Sequence, residues 1–250
     1  MDQGGPARPR AGRGAYGIDG GVIPFIGYAV ILAVLAISEA GAIKHHRFGT
    51  ASLTGAGLVA VAGSAAGYLY STGRGKRSVW AGLLDELDLR GDEQVLDVGC
   101  GRGAVLMLAA HRVPDGRAVG VDLWRRRDQS GNSRAATEHN AEVEGVRGRV
   151  EVIDADARDL PFPAASFDLM VSSLTIHNIK NTEGRRQALH EAVRVLRPGG
   201  RLRIVDDRVG PYAAILRAAG CADITVQRLD WRTWFGIPGH HLTMISARKR

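Results

Sequence analysis

A glycine-rich segment near the middle of the chain could bring backbone close to a ligand. Gly99, Gly101 and Gly103 directly follow a short β-rich run, residues 94–98, and precede an apolar stretch typical of a helix. Glycines at such a strand-to-helix turn let backbone approach a nucleoside at the carboxyl edge of a parallel sheet. The spacing alone does not choose the ligand, because a looser G-x-G-x-x-A pattern of dinucleotide sites, ending at Ala104, fits equally well.

Two aspartates follow the next two β-rich runs. Asp122 ends residues 118–122, and Asp156 lies just after residues 150–154. A carboxylate at a strand end, opposite a glycine loop, can accept hydrogen bonds from the hydroxyls or amino groups of a nucleoside. We therefore interpret both as ligand-binding residues. Asp97, inside the first run, could instead brace the glycine loop.

Groups able to move a proton are expected further along the same edge. His177 follows the fourth β-rich run and Asp207 follows the fifth. Because imidazole titrates near neutral pH, His177 is the first candidate for a general base and Asp207 the second, with a structural histidine as the alternative. We expect no metal site, since His240 and His241 lack further convincing ligands.

The segments that position these residues alternate between β-rich and helical patterns from Ser78 onward. Such alternation is typical of an α/β protein with a parallel sheet covered by helices on both faces. The predicted strands are residues 94–98, 118–122, 150–154, 167–172, 202–206, 224–229 and 242–247. The predicted helices are residues 79–89, 104–112, 134–144, 185–196 and 211–219.

Several motifs occur in the order found in one family. Residues 95–103, VLDVGCGRG, resemble motif I of class I S-adenosylmethionine-dependent methyltransferases. Residues 154–162, 166–171 and 196–202 resemble later segments of the same family, in the correct order. The resemblance covers about residues 79–248 and is closest to the broad group, methyltransferase type 11, that includes quinone-biosynthesis enzymes.

The resemblance implies a doubly wound, Rossmann-like sheet of seven strands with an antiparallel C-terminal strand. It also implies S-adenosyl-L-methionine as methyl donor, with Asp122 accepting from the ribose hydroxyls and Asp156 from the adenine amino group. Trp124 would either stack on adenine or cover the sheet. The full set of expected cofactor-binding residues is Asp97, Gly99, Cys100, Gly101, Gly103, Asp122, Leu123, Trp124, Asp156, Ala157 and Ser173. A nicotinamide-dependent oxidoreductase and a non-catalytic cofactor-binding regulatory protein remain alternatives.

Two uncharged runs precede this domain, at residues 20–38 and 48–73. Each is long enough to cross a bilayer as a helix. We predict a flexible basic leader over residues 1–19, a two-helix transmembrane hairpin over 20–73 and the methyltransferase domain over 74–250. A soluble helical subdomain and a cleavable export signal are the alternatives. Flanking basic residues favour both ends inside, so we expect a multi-pass protein of the cell membrane with its catalytic domain in the cytoplasm.

The distribution of charge bears on the partners. The formal net charge is +7, and basic residues concentrate beside the apolar runs, at residues 124–127 and at the C-terminus. We expect contact with membrane lipid rather than nucleic acid, also because no Asn-Pro-Pro-Tyr-like motif follows the fourth strand. The expected acceptor is a small, apolar molecule, such as a lipid, a quinone precursor or a hydrophobic thiol. It would reach the site from the bilayer past residues 71–80.

Overall fold

The front of the chain is a helical hairpin. The computed structural model describes residues 14–20, 23–236 and 241–250. Helix α1 comprises Ile23–Lys44 and helix α2 comprises Phe48–Tyr70. They pack antiparallel, since the Tyr28 hydroxyl lies 2.9 Å from that of Ser64, and a Cβ at Gly57 would lie 3.5 Å from Leu35.

The hairpin exposes its apolar side chains. Ile37, Leu53 and Val59 are each more than 70% exposed, at 73%, 76% and 74%. Both helices are long and apolar enough to cross a membrane, a property that signal sequences and some core helices share. At 22 residues, α1 is about 33 Å long, close to the thickness of a bilayer core.

The second helix of the hairpin continues into the α/β domain. A short π-helix, Ser71–Gly75, follows α2 directly and leads into α3, Lys76–Asp85. Gly75 is required here, because a Cβ would lie 2.0 Å from the carbonyl oxygen of Arg232. The helix predicted at residues 79–89 therefore begins three residues earlier, as the continuation of a longer helical segment.

The α/β domain contains a seven-stranded sheet of order β3-β2-β1-β4-β5-β7-β6. The first five strands pair in parallel, and β7 pairs antiparallel with both β5 and β6. The strands are β1 Gln94–Val98, β2 Arg117–Asp122, β3 Val150–Asp154, β4 Phe167–Ser173, β5 Leu196–Asp206, β6 Cys221–Arg228 and β7 Thr243–Lys249. The predicted α/β architecture is thus confirmed.

Helices cover both faces of this sheet. They are α4 Ala104–Ala110, α5 Arg134–Val143, α6 Thr182–Val195 and α7 Gly210–Ala218. Residues of α3, α4 and α5 pack in the apolar clusters of one face, whereas α6 and α7 pack on the other. Trp80 of α3 is fully buried, and its indole N–H donates to the Ser173 hydroxyl at 3.0 Å. This contact anchors the continued helix to the end of β4.

The fifth strand differs from its prediction. It begins at Leu196, because residues expected to form the turn before the strand pair with β4 across an irregularity. Leu196 pairs with Phe167 and Arg201 with Leu169, so five steps along β5 oppose two along β4. Gly199, with φ +78, accommodates this bulge.

Residues 14–20, which we call the N-terminal strap, lie against the α/β domain. Tyr16 is buried, its hydroxyl donates to Glu144, and the Ala15 amide donates to Asn140 at 2.9 Å. Asp19 forms an isolated antiparallel bridge with Gln129. The part of the predicted flexible leader that is described is therefore attached to the domain, and residues 1–13 lie outside the described residues.

Candidate active site

A cavity of about 990 Å³ opens at the carboxyl edge of the sheet. Strand ends, the glycine loop, the strap, α2 and the segment before β7 all contribute to its wall. The structure brings together there most of the residues singled out from the sequence: Asp97, Gly99, Cys100, Gly101, Asp122, Leu123, Asp156, Ala157, Ser173, His177 and Asp207. Gly103 and Trp124 do not line it.

The glycine loop has a backbone that larger residues would strain. Gly99 has φ +75, and a Cβ there would lie 2.0 Å from the Thr175 hydroxyl oxygen. Gly101 has φ +51 and would meet Gln129 at 2.4 Å. Backbone at these two positions therefore faces the cavity without side chains.

Gly103, which was expected to contact the cofactor, does not line the cavity. It precedes α4 with φ +84, and a Cβ there would lie 2.7 Å from Met107. It therefore permits the first turn of α4 to pack closely, and it lies behind the cavity wall.

Asp122 holds the glycine loop in place. One carboxylate oxygen accepts from the Gly101 amide at 2.8 Å, and the other accepts from the Trp124 amide at 2.6 Å and from Asn132 at 3.3 Å. Burial raises the pKa of this carboxyl, and the hydrogen bonds oppose that change. The strand-end position leaves the carboxylate in the cavity wall, where it can accept from hydroxyl groups of a ligand.

Asp97 is the most unusual group in the cavity wall. Its side chain is buried, and no described residue donates a well-formed hydrogen bond to either oxygen, although the Leu106 amide approaches closely enough to favour the ionised form. Burial, with the nearby negative charge of Asp122, raises the pKa of Asp97 to about 7, against the opposing charge of Lys76. A buried carboxylate without a partner is costly, so the site suits a ligand that brings a cationic donor.

Asp156 and Trp124 are both engaged in polar contacts within the protein. Asp156 accepts from the Arg158 amide at 2.9 Å and from its guanidinium, and this hydrogen bonding lowers the pKa of Asp156 despite partial burial. Trp124 has φ +55, and its indole N–H donates to Asp154. Of the two alternatives for Trp124, stacking on adenine or covering the sheet, this conformation fits the second.

His177, in the segment that follows β4, pairs with the buried Asp206 at the end of β5. Nδ1 of His177 lies within hydrogen-bonding distance of Asp206, whose carboxylate also accepts from the His177 amide at 3.0 Å and the Tyr212 hydroxyl at 3.2 Å. Burial alone would lower the pKa of His177, but the hydrogen bond and charge of Asp206, with Asp207 and Asp128, outweigh it and raise that pKa. Asp206 is fully buried, so Asp207 is the aspartate that lines the cavity.

This arrangement leaves the other ring nitrogen of His177 to the cavity. A carboxylate at Nδ1 selects the tautomer with its proton on that atom, and Nε2 can then accept a proton. The sequence pointed to His177 through its position after the fourth strand, but its pairing with Asp206 depends on two loops meeting in space.

Aromatic and aliphatic side chains also line the cavity. Tyr68 of α2 packs against Phe235 with ring centroids 5.8 Å apart, and both line the cavity together with Leu242. Only residues 207–209 separate β5 from α7, so no insertion at this point covers the cavity. Tyr68, Phe235 and Leu242 cover it instead. No local motif in the sequence marks Tyr68 or Phe235 as a residue of the site.

The part of the chain that the structure describes holds no group of three or more histidine, cysteine, aspartate or glutamate side chains suited to a metal ion. His240 lies outside the described residues, and Nδ1 of His241 is buried without a hydrogen-bond partner.

Comparisons with known proteins show which proteins this domain resembles. Residues 96–204 match the family model described as a methyltransferase domain. The 27-O-demethylrifamycin SV methyltransferase of Amycolatopsis mediterranei (strain S699) is 36% identical over 138 residues, which is 54% of this chain and 46% of that protein. A ubiquinone/menaquinone biosynthesis C-methyltransferase of Dinoroseobacter shibae is 35% identical over 145 residues, 58% of this chain and 54% of that protein. The chain thus spans about half the length of these relatives.

Solved structures share the fold. A geranyl diphosphate methyltransferase in complex with S-adenosylmethionine superposes with TM-score 0.56 at 18% identity, covering 70% of this chain and 85% of that one. An S-adenosylmethionine-dependent methyltransferase from Aquifex aeolicus gives TM-score 0.54 at 20% identity, covering 68% and 89%. Residues 96–204 thus match a methyltransferase domain, and the sheet has the fold of S-adenosylmethionine-dependent methyltransferases.

Proposed function

We propose that this protein is a membrane-attached methyltransferase that transfers a methyl group from S-adenosylmethionine to a small, apolar acceptor. The observation that carries the proposal is a single cavity with two kinds of wall. Aspartates at strand ends form one wall, and aromatic and aliphatic residues contributed by α2 and the segment before β7 form the other.

The residues present fit the donor. The unpartnered carboxylate of Asp97 suits its amino group, Asp122 its ribose hydroxyls and Asp156 its adenine amino group. S-adenosylmethionine supplies a methyl group already activated by a positively charged sulfur. The protein's main contribution is then to align the acceptor and exclude water.

His177 is the group that could remove a proton from the acceptor. Its Nδ1 is held by Asp206, and its side chain lines the cavity. A positioned base of this kind contributes about 100-fold or more to the rate when the acceptor is a hydroxyl group. Asp207 lies beside it and adds negative charge that favours the protonated imidazole formed in the reaction.

Attachment to a membrane is supported by the exposed hairpin. Only 6% of the apolar window of each helix is buried within the protein. Lys44 and Arg47 lie at the far end, whereas Arg74, Lys76 and Arg77 follow α2 on the side of the domain. This supports a multi-pass protein of the cell membrane with both ends of the hairpin, and the catalytic domain, in the cytoplasm.

The apolar acceptor is supported by the position of the site beside the hairpin. Tyr68 belongs to α2 and also lines the cavity, so the cavity begins where the hairpin meets the domain. By their names, the relatives described above are a methyltransferase of 27-O-demethylrifamycin SV and a C-methyltransferase of ubiquinone/menaquinone biosynthesis. A lipid, quinone precursor or hydrophobic thiol entering from the bilayer is consistent with these features.

Supplying a methyl-labelled donor to membranes that contain the protein tests this proposal. We expect label in a solvent-extractable product. The rate of labelling should fall at least 100-fold in His177→Ala, which is about the contribution of a positioned base. Label appearing only in nucleic acid or protein would contradict the proposed acceptor class. Unchanged activity on apolar acceptors after deletion of residues 1–75 would contradict entry past the hairpin.

A further inference from the structure

The N-terminal strap contributes a buried ion pair to the cavity. The Lys76 ammonium contacts both carboxylate oxygens of Asp19 at 2.7 Å. Their side chains are only 8% and 15% exposed, and both residues line the cavity. Neither residue belongs to a motif of the glycine loop or of the strand ends.

The two residues are held by different parts of the chain. Lys76 begins α3, which is anchored in the core through Trp80. Asp19 lies in the strap, whose nearest backbone contacts are the Gly20 amide with the Asp128 carbonyl at 2.8 Å and the Asp19–Gln129 bridge. Lys76 is thus held in place by the core, whereas its partner, the Asp19 carboxylate, belongs to a peripheral segment.

Asp97 and Lys76 both line the cavity. The positive charge of Lys76 acts to lower the pKa of Asp97, against burial. The cavity therefore holds a buried anion without a partner and a buried cation whose partner is a carboxylate. An α-amino acid has the complementary pair of charges, an ammonium and a carboxylate on one carbon.

We propose that Lys76 binds the carboxylate of the amino-acid end of the methyl donor, which takes the place of Asp19, while Asp97 receives the adjacent ammonium. This inference rests on the proposed function, since it requires a donor with an amino-acid end. Donor binding then frees the Asp19 side chain of the strap, so the strap is sensitive to the occupancy of the site.

Calorimetry on the full chain in detergent tests the assignment, with S-adenosylmethionine and its decarboxylated form as probes. The two molecules differ by the carboxylate alone, so their affinity ratio reports on the group that binds it. A charge-assisted contact predicts a preference of about tenfold or more for the intact donor. We expect Lys76→Met to remove that preference and Lys76→Arg to keep part of it.

Two further variants separate this reading from a structural ion pair. Asp19→Asn removes the competing carboxylate, so affinity for the intact donor should rise by about threefold or more, while affinity for the decarboxylated form stays level. A purely structural pair predicts loss of affinity for both probes. Lys180→Met, which removes another cation lining the same cavity, should leave the ratio unchanged.

Equal binding of both probes by the wild-type chain would overturn the role of Lys76 and leave the proposed function intact. Loss of the preference in Lys180→Met, with its retention in Lys76→Met, would also overturn it. Binding of neither probe would contradict the proposed function and this inference with it.

Discussion

At the residue scale, three aspartates of the cavity wall differ in their surroundings. Burial raises the pKa of Asp97 and of Asp122, whereas the hydrogen bond with Arg158 lowers that of Asp156. Asp97 alone among the three has two oxygens without partners. Because an ammonium ligand stabilises only the ionised form, Asp97 is the carboxyl whose titration should govern donor binding.

The first prediction concerns this titration. With a pKa of about 7, Asp97 is largely protonated at lower pH, and binding of the donor's ammonium should then release a proton. Affinity should therefore rise as pH increases through about 7, and Asp97→Asn should weaken binding and flatten the dependence. Calorimetry in buffers of different ionisation enthalpy measures both effects. A wild-type affinity that stays constant from about pH 6 to about pH 8, a range that spans this pKa, would contradict the assignment.

The second prediction concerns His177. Its pKa is raised by Asp206, and only the neutral ring accepts a proton, so activity should fall as pH decreases through that pKa. Asp206→Asn should move this acidic limb to lower pH and reduce kcat, because it removes the negative charge and loosens the ring. The measurement is a pH–rate profile at saturating donor. An acidic limb that persists unchanged in His177→Gln would assign the titration to another group.

At the scale of elements, the strands were largely predictable and their connections were less so. The limits of β1 and β3 match the prediction, since short apolar runs between charged or glycine residues end where the sheet ends. The start of β5 was missed because its pairing with Phe167 is a long-range contact. The glycine loop and strand-end aspartates were found because each belongs to a local motif.

The cavity residues that were missed come from outside those motifs. Asp19, Lys76, Tyr68 and Phe235 reach the cavity through contacts between segments far apart in the chain. A lysine after an apolar run has the pattern of a membrane-flanking residue, and nothing local indicates that α3 buries it. Hydrophobic patterns and local motifs therefore predict the sheet and its glycine loop, but they do not predict which distant residues cover the cavity.

The third prediction tests the glycine loop. Gly99→Ala would place a methyl group against Thr175 in a backbone conformation, φ +75, that side chains disfavour. It should destabilise the domain by about 1–3 kcal/mol and weaken donor binding at least tenfold. Gly82→Ala is the matched control, because a Cβ there meets nothing within 4 Å on the helix α3. Denaturant unfolding and calorimetry should show the control to be neutral or slightly more stable, and equal effects of the two variants would contradict this account.

At the scale of the whole molecule, one chain combines two surfaces. The hairpin exposes large apolar side chains along its length, whereas the catalytic domain buries its apolar residues on both faces of the sheet. The strap and the segment before β7 join the two parts at the cavity. This construction would place a methyltransferase site at the surface of a bilayer.

The fourth prediction concerns this attachment. Val59 lies at the centre of α2, and Val226 is an exposed valine of β6. Val59→Lys should lower the fraction that resists alkaline carbonate extraction, because a charge at the bilayer centre costs about 3 kcal/mol, whereas Val226→Lys should not change it. Release of the wild-type protein by salt or carbonate would show that the hairpin does not span a membrane.

The central claim, that the cavity binds S-adenosylmethionine through its strand-end aspartates, is tested most directly by calorimetric titration of the full chain in detergent. We expect saturable binding of S-adenosylmethionine and of S-adenosylhomocysteine, weakened at least tenfold in Asp122→Ala through loss of charge-assisted hydrogen bonds. Binding of a nicotinamide nucleotide, with no heat from either of these ligands, would contradict the account.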